Sequence, residues 1–265
     1  MNTGHQNPRG IPSALIALLL LVGCASTTSG SPPDQTQPSA PTAPSAATQP
    51  STTTTTPAQA EPADGAWLVY HWIKPGKRTK DLFLVRPDGS DAHAIASDVA
   101  GEHKFPAWSP DGSLIAFVNA DAKTPNGSIW TVRADGTGAA LFSDGGGKCP
   151  EGIYHPAWFA DGTKLAVICY AAGGADASVA IVDVATKELT PVLTVTWPEF
   201  FDNAPSPSPD GTSIAIDILH WDPTNTSLDG SLVAVVPSAG GQEQRLTSFE
   251  TFMAHPDWSP DGELL

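Results

Sequence analysis

The sequence has 265 residues, with 13 Lys and Arg set against 28 Asp and Glu, for a formal net charge of -15. That balance excludes nucleic acid and anionic lipid surfaces as direct partners, because both demand clustered basic side chains. No zinc-type Cys/His spacing, Gly-rich phosphate loop or G-x-S-x-G elbow occurs in the chain.

The chain opens on a short polar stretch whose one basic residue is Arg9, followed by an apolar run over residues 11–22. The run is too short to span a bilayer but has the length of a signal-peptide core. It ends in Leu21-Val22-Gly23-Cys24, which resembles a bacterial lipoprotein box. The resemblance implies that residues 1–23 are a signal peptide and that Cys24 is lipidated, with two acyl chains giving stable membrane attachment. The plainer alternative is a secretory signal with a cysteine nearby. Residues 24–64 are rich in Ser, Thr, Pro, Ala and Gln, with Asp34, Glu61 and Asp64 as the charged positions. Such a segment buries too little apolar surface to offset its ordering entropy, so it reads as a disordered tether. As a flexible coil it would average roughly 35 Å end to end.

Residues 65–265 are built on a repeat. Pro106-Ala107-Trp108-Ser109-Pro110-Asp111-Gly112 leads into the apolar run 113–118, and related stretches surround Asp161-Gly162, Asp210-Gly211 and Asp261-Gly262. The four aspartates lie 50, 49 and 51 residues apart, a period that signals a repeat architecture. Pro presets φ, Asp bonds its own backbone and Gly accepts positive φ, so each motif predicts a tight hairpin between two strands. A second signal follows in each unit. Asp81-Leu82-Phe83-Leu84-Val85-Arg86-Pro87-Asp88-Gly89 matches Ser128-Ile129-Trp130-Thr131-Val132-Arg133-Ala134-Asp135-Gly136, and short fourth strands follow at 93–96 and 139–142. Four short strands per unit of about fifty residues predict an all-β propeller of four-stranded blades.

These residues resemble the TolB-type β-propeller repeat, whose signature is a P-x-W-S-P-D-G turn, an I-A-F run and an I-Y-V-x-x-x-D-G strand. The resemblance covers residues 66–265. Two copies depart from it: Phe159-Ala160 replaces Ser-Pro, and Pro207 replaces Trp. Less regular turns are expected there. Blade one has strands B, C and D without an A, three blades are complete, and a fifth A strand and turn run into Leu265. About four blades are therefore expected in an incomplete ring, with closure of residues 255–259 onto blade one as the alternative.

Blade topology puts the tight Asp-Gly turns on one face and the longer B–C and D–A loops on the other. Long loops on a rigid scaffold are where binding residues concentrate. The long-loop face carries Trp72, Trp197, Phe200, Phe201, Trp221, Phe249 and Phe252 among several carboxylates. These aromatics are the binding candidates; the competing reading has them plugging gaps between blades. His155 and His255 share one repeat position and faintly echo the channel histidines with which some pectin-fragment lyases hold a metal. Phe105 and Ala204 fill the matching positions, so two ligands at most are visible, too few for a metal centre. No cofactor is implied. Cys149 and Cys169 are the thiols left after Cys24, and an even count in an oxidising compartment favours pairing. Hairpin pairing about Asp161-Gly162 sets Cys169 opposite roughly Tyr154, so the Cys149 loop must fold back over the strand.

Three function classes fit. The first is a non-enzymatic, membrane-anchored envelope module that binds a protein or a glycan and touches the membrane through its lipid alone. The second is the propeller part of a prolyl-oligopeptidase-type serine peptidase, and the third a carbohydrate-binding or lyase propeller. The missing catalytic constellation favours the first.

Overall fold

The computed structural model describes residues 65–73, 76, 79–121, 126–222, 224, 227–250 and 252–265. The signal peptide, Cys24 and the tether read from the sequence lie outside the described residues. The described chain is all-β, arranged as successive antiparallel blades of a propeller.

The first blade has three strands, β1 (Leu68–Ile73), β2 (Lys80–Val85) and β3 (His93–Ile95), in that order. The second runs β4 (Glu102–Trp108), β5 (Leu114–Ala120), β6 (Ser128–Arg133) and β7 (Ala140–Ser143). The third runs β8 (Ile153–Trp158), β9 (Lys164–Tyr170), β10 (Asp176–Asp183) and β11 (Leu189–Thr196). In the fourth, the inner position is split between β12 (Glu199–Phe200) and β13 (Ser206–Pro207), both pairing β14 (Ser213–Trp221). β15 (Leu228–Pro237) and β16 (Gln244–Arg245) complete it. Residues 255–259 form no strand, although the turn after them is made.

The hairpin between strands A and B shows why the repeat is written as it is. The Ser109 hydroxyl donates to Asp111 Oδ1 at 2.6 Å and accepts from the Leu114 amide at 2.9 Å, while the Gly112 amide donates to the Ser109 carbonyl at 2.9 Å. Gly112 sits at φ 69°, where a side chain would be strained. Ser208 and Ser259 repeat the arrangement on Asp210 and Asp261. These hydrogen bonds, led by the serine hydroxyl, hold the Asp111, Asp210 and Asp261 carboxyls below their usual range. The third blade keeps the backbone bonds, with the Phe159 amide on the Lys164 carbonyl at 3.0 Å. Its hydroxyl is replaced by a ring that is 2 % exposed and packs among the apolar residues of the third and fourth blades. Pro207 has no indole and no amide proton, and the inner strand it belongs to is correspondingly cut to two residues.

Alternating side chains on β5, β9 and β14 build the cores between blades. Leu82, Leu84, Ile115 and Phe117 join blades one and two; Val118, Ile129, Leu165 and Val167 join two and three. Ile168, Val179, Ile214, Ile216 and Phe201 join three and four. Inner strands carry a shared irregularity at the residue before proline. Phe105, His155 and His255 have φ of 51°, 54° and 58°, a region L residues rarely occupy and one that a following proline disfavours further. The pairing registers of β4 and β8 shift across these points. The extra residue puts Cys169 opposite Ile153 rather than Tyr154, one position from where an unbulged hairpin sets it.

Cys149 and Cys169 are joined by a disulfide with a Cα–Cα distance of 5.1 Å. The loop reaches the strand through a 3-10 turn at Gly145–Gly147. A Cβ on Gly145, at φ +80°, would lie 2.8 Å from Cys149 Cβ, so glycine is what lets the loop fold back this tightly.

Candidate binding face

The B–C and D–A loops hydrogen-bond to one another, which fixes them at the same end of the blades. Asn126 Nδ2 donates to the Pro150 carbonyl at 3.0 Å, the Gly173 amide to Glu151 Oε1 at 3.3 Å, and the Trp197 amide to the Ala175 carbonyl at 2.8 Å. The Trp221 amide donates to the Pro198 carbonyl at 3.1 Å, tying the loop after β11 to the end of β14. At the other end of the blades, the turns about Asp111 and Asp161 line a groove with Trp158 and Val184.

The tied loops bring three of the sequence candidates together. Trp197 lies 6.5 Å from Phe200 and 6.5 Å from Trp221, and Phe200 lies 6.3 Å from Trp221, measured between ring centroids. Interplanar angles are 26°, 25° and 32°. A single-file stack of three rings would make one separation about double the others. Near-equal separations make the triad a patch, and each ring is half-buried. Arg245 donates to both carboxylate oxygens of Glu199 at 3.1 and 2.9 Å, also reaches Glu243 at 3.2 Å, and stands over the Phe249 ring at 5.5 Å. Glu199 and Phe200 are consecutive in β12 and point to opposite sides of the sheet, so this fork of charge-assisted bonds lies with His220 and Phe249, across the sheet from the Phe200 ring.

The remaining candidates scatter. Phe201 is 1 % exposed and belongs to the core between blades three and four, so it is withdrawn from the binding face. The reason is local: Phe200 and Phe201 are consecutive in extended chain and point to opposite sides. Phe249 is half-buried against His220, 5.1 Å away between centroids. Trp72 is 45 % exposed at the end of β1, apart from the triad on the first blade, and Phe252 is 69 % exposed with no ring partner among the described residues.

His155 and His255 occupy their shared repeat position, but the His155 ring lies 3.9 Å from the Phe105 ring and is buried. Burial, then the charges of His255 and Lys80, push its pKa down to about 4, so it is neutral at pH 7. Among the described residues no group of three or more His, Cys, Asp or Glu is placed to hold a metal ion.

Sequence reasoning missed a pair of carboxylates near His255, Asp217 buried and Asp202 half-buried. Asp217 takes the place in β14 that Val118 and Ile168 hold in the preceding blades, and is 1 % exposed. Its signal in the sequence was a single acid inside the run Ile214-Ala215-Ile216-Asp217-Ile218. Asn203 donates its side-chain amide to Asp217 Oδ2. Burial raises the Asp217 pKa despite that bond, and burial together with the Asp217 charge raises Asp202 to about 6. Asp202 therefore holds its proton more tightly folded than unfolded, where a carboxyl titrates near about 4. Its stabilising contribution is complete below that value and is lost as pH rises through about 6. Asp202→Asn should then be more stable than the parent by about 2–3 kcal/mol at pH 7.5 and equal to it at about pH 3. His155 acts in the opposite sense, losing stability as pH falls from about 6.5 through about 4, so paired melts of variant and parent are the measurement. A constant difference across pH would refute the assignment.

No family model matches the chain. A search of curated proteins finds the Tol-Pal system protein TolB of Nitratidesulfovibrio vulgaris, 36 % identical over 55 residues, which is 21 % of this chain and 12 % of that protein. The chain thus spans a small part of that relative's length. Among solved structures, the putative TolB from Agrobacterium tumefaciens superposes with a TM-score of 0.57 at 16 % identity, covering 76 % of this chain and 69 % of that one. TolB from Acinetobacter baumannii gives 0.50 at 17 % identity, covering 68 % and 43 %. With the repeated turn, the bulged inner strands and the blade order, these likenesses establish the described chain as a β-propeller, and over 55 residues its sequence is similar to TolB.

Proposed function

We propose that this protein is an extracytoplasmic, lipid-anchored binding module that engages another envelope protein through its long-loop face. The observation that carries this reading is the half-buried patch of Trp197, Phe200 and Trp221, held by loop-to-loop hydrogen bonds. Large, rigid aromatics suit protein recognition, and acidic loops favour a basic or amphipathic segment over an anionic polymer. The curated relative is named for the Tol-Pal system, and a component of such a system in the host envelope is the partner class we infer. The Cys24 box and the tether of residues 24–64 would keep the module near its membrane while it searches for that partner.

The test has two arms in the native host. Tagged protein is cross-linked in intact cells, and the triple variant Trp197→Ala, Phe200→Ala, Trp221→Ala is compared with Asp111→Asn on the opposite face. The triple variant should lose the cross-linked envelope protein by about tenfold or more, whereas the turn variant keeps it. Cys24→Ser should move the protein from the membrane fraction to the soluble envelope fraction. Equal capture by the triple variant refutes the binding face; hydrolase or lyase activity abolished by His155→Ala or His255→Ala refutes the non-enzymatic reading.

A further inference from the structure

Each complete blade ties the loop leading into its inner strand back to its second strand, and the three ties differ in chemistry. In blade two Asn119 Nδ2 donates to the Ala100 carbonyl at 3.2 Å, and in blade three Cys169 is bonded to Cys149. Asn119 and Cys169 hold equivalent places, opposite His103 and Ile153. In blade four Ile218 fills that place, and the tie passes to the adjacent residue, where Asn203 donates its side-chain amide to Asp217. An amide and a disulfide carry no proton that titrates near neutrality, whereas a buried carboxyl does.

The tie in blade four holds the loop that carries the aromatic patch. Trp197 and Phe200 lie on it. The Trp197 amide on the Ala175 carbonyl pins one end, the Tyr170 hydroxyl on the Phe201 carbonyl pins the middle, and Asn203 pins the other end. Asp202, next to Asn203, is half-buried beside Asp217. An apolar side chain at position 217 would serve the core, as Val118 and Ile168 do, and a single amide would serve the tie. Two carboxyls in one place do neither well, because they repel when both are charged. The other groups that face them are Tyr170 from β9 and His255 from the segment after blade four. Burial raises the Tyr170 pKa, so that hydroxyl stays neutral throughout.

We propose that Asp202, Asn203 and Asp217 form a proton-sensitive clamp that positions the aromatic patch, closed in acid and loosened as pH rises. The proposal rests on the binding reading of that patch and adds its regulation. Burial, then the Asp217 charge, raise the Asp202 pKa to about 6 against the opposing charge of His255. In an opened loop the same carboxyl would titrate near about 4. The closed clamp therefore holds the proton more tightly. Its advantage is complete below about 4 and is lost as pH rises through about 6.

The experiment uses the full 265-residue chain in a Cys24→Ser background, labelled with fluorotryptophan. The fluorine resonances of Trp197 and Trp221, assigned through their phenylalanine variants, are followed from acid to neutral pH. Both should move with a midpoint near about 6 in the parent and stay at their acid positions in Asp202→Asn. Asp217→Asn keeps an acceptor for Asn203 but removes the neighbouring charge, so it should lower the midpoint. His255→Gln should keep the transition at slightly higher pH, because an opposing positive charge is gone. Cross-linking of the envelope protein in intact cells should be about three- to tenfold stronger in mild acid than at neutral pH, under a ceiling of about hundredfold set by the two pKa values. Resonances that do not move through this range overturn the clamp. So do a transition that persists in Asp202→Asn, a midpoint unmoved in Asp217→Asn, or a transition lost in His255→Gln. A fluorine transition with pH-independent cross-linking overturns the regulation. Equal capture by the aromatic triple variant refutes the binding reading alone, because the fluorine transition upholds the clamp without any partner.

Discussion

Replacing Phe201 with alanine should lower the unfolding free energy by about 3–5 kcal/mol, the range for emptying a buried aromatic site. Its ring is 1 % exposed and packs in the cluster that holds Phe159, Ile214 and Ile216, where neighbouring strands leave little freedom to collapse into the void. The backbone is pinned as well, since the Tyr170 hydroxyl donates to the Phe201 carbonyl. Phe252, three positions before His255 and 69 % exposed, supplies the control: Phe252→Ala should change stability by no more than about 0.5 kcal/mol. Urea titration of both variants gives the comparison. A loss at Phe201 below about 1 kcal/mol would place that side chain back on the surface.

Breaking the Cys149–Cys169 bond should cost about 3 kcal/mol. The bond closes a loop with a sequence separation of 20, and a cross-link of that size removes roughly this much conformational freedom from the unfolded chain. Both cysteines lie in the core between blades two and three, at 3 % and 5 % exposure, so alanine is the suitable replacement and avoids burying two new hydroxyls. The double alanine variant and the reduced parent should melt together, several degrees below the oxidised parent. A melting temperature indifferent to reductant would exclude the bond from the folded protein in solution.

The blades were legible in the sequence because their signals are local. A Pro-Asp-Gly turn fixes its own φ angles, and period-two alternation marks a strand wherever it falls. The repeat then multiplied each weak signal, so the turns at Asp111, Asp161, Asp210 and Asp261 and the three-stranded first blade stand where the spacing put them. The effect of Pro207 fell elsewhere than the expected irregular turn: the Asp210 turn keeps its bonds, and it is the inner strand that is shortened, since proline lacks an amide proton. The register of β8 could not be anticipated. It depends on the bulge at His155, a strained conformation that only the surrounding packing enforces.

The candidate site divides in the same way. Composition and topology located the long-loop face and its aromatics, but tertiary packing sorted them. Trp197 and Trp221 are 24 residues apart in the chain and meet because the Trp221 amide bonds the Pro198 carbonyl, whereas Phe201 turns inward where its neighbour Phe200 does not. Asp202 and Asp217 read as one loop acid and one acid in an apolar run; burial raises the pKa of Asp217, and burial together with the Asp217 charge raises that of Asp202. Turn chemistry and strand period are properties of a few adjacent residues, which is why the sequence by itself determined the repeat and the blade. Burial and charge coupling are properties of the neighbours that folding brings in from elsewhere in the chain, and those the tertiary structure alone decided.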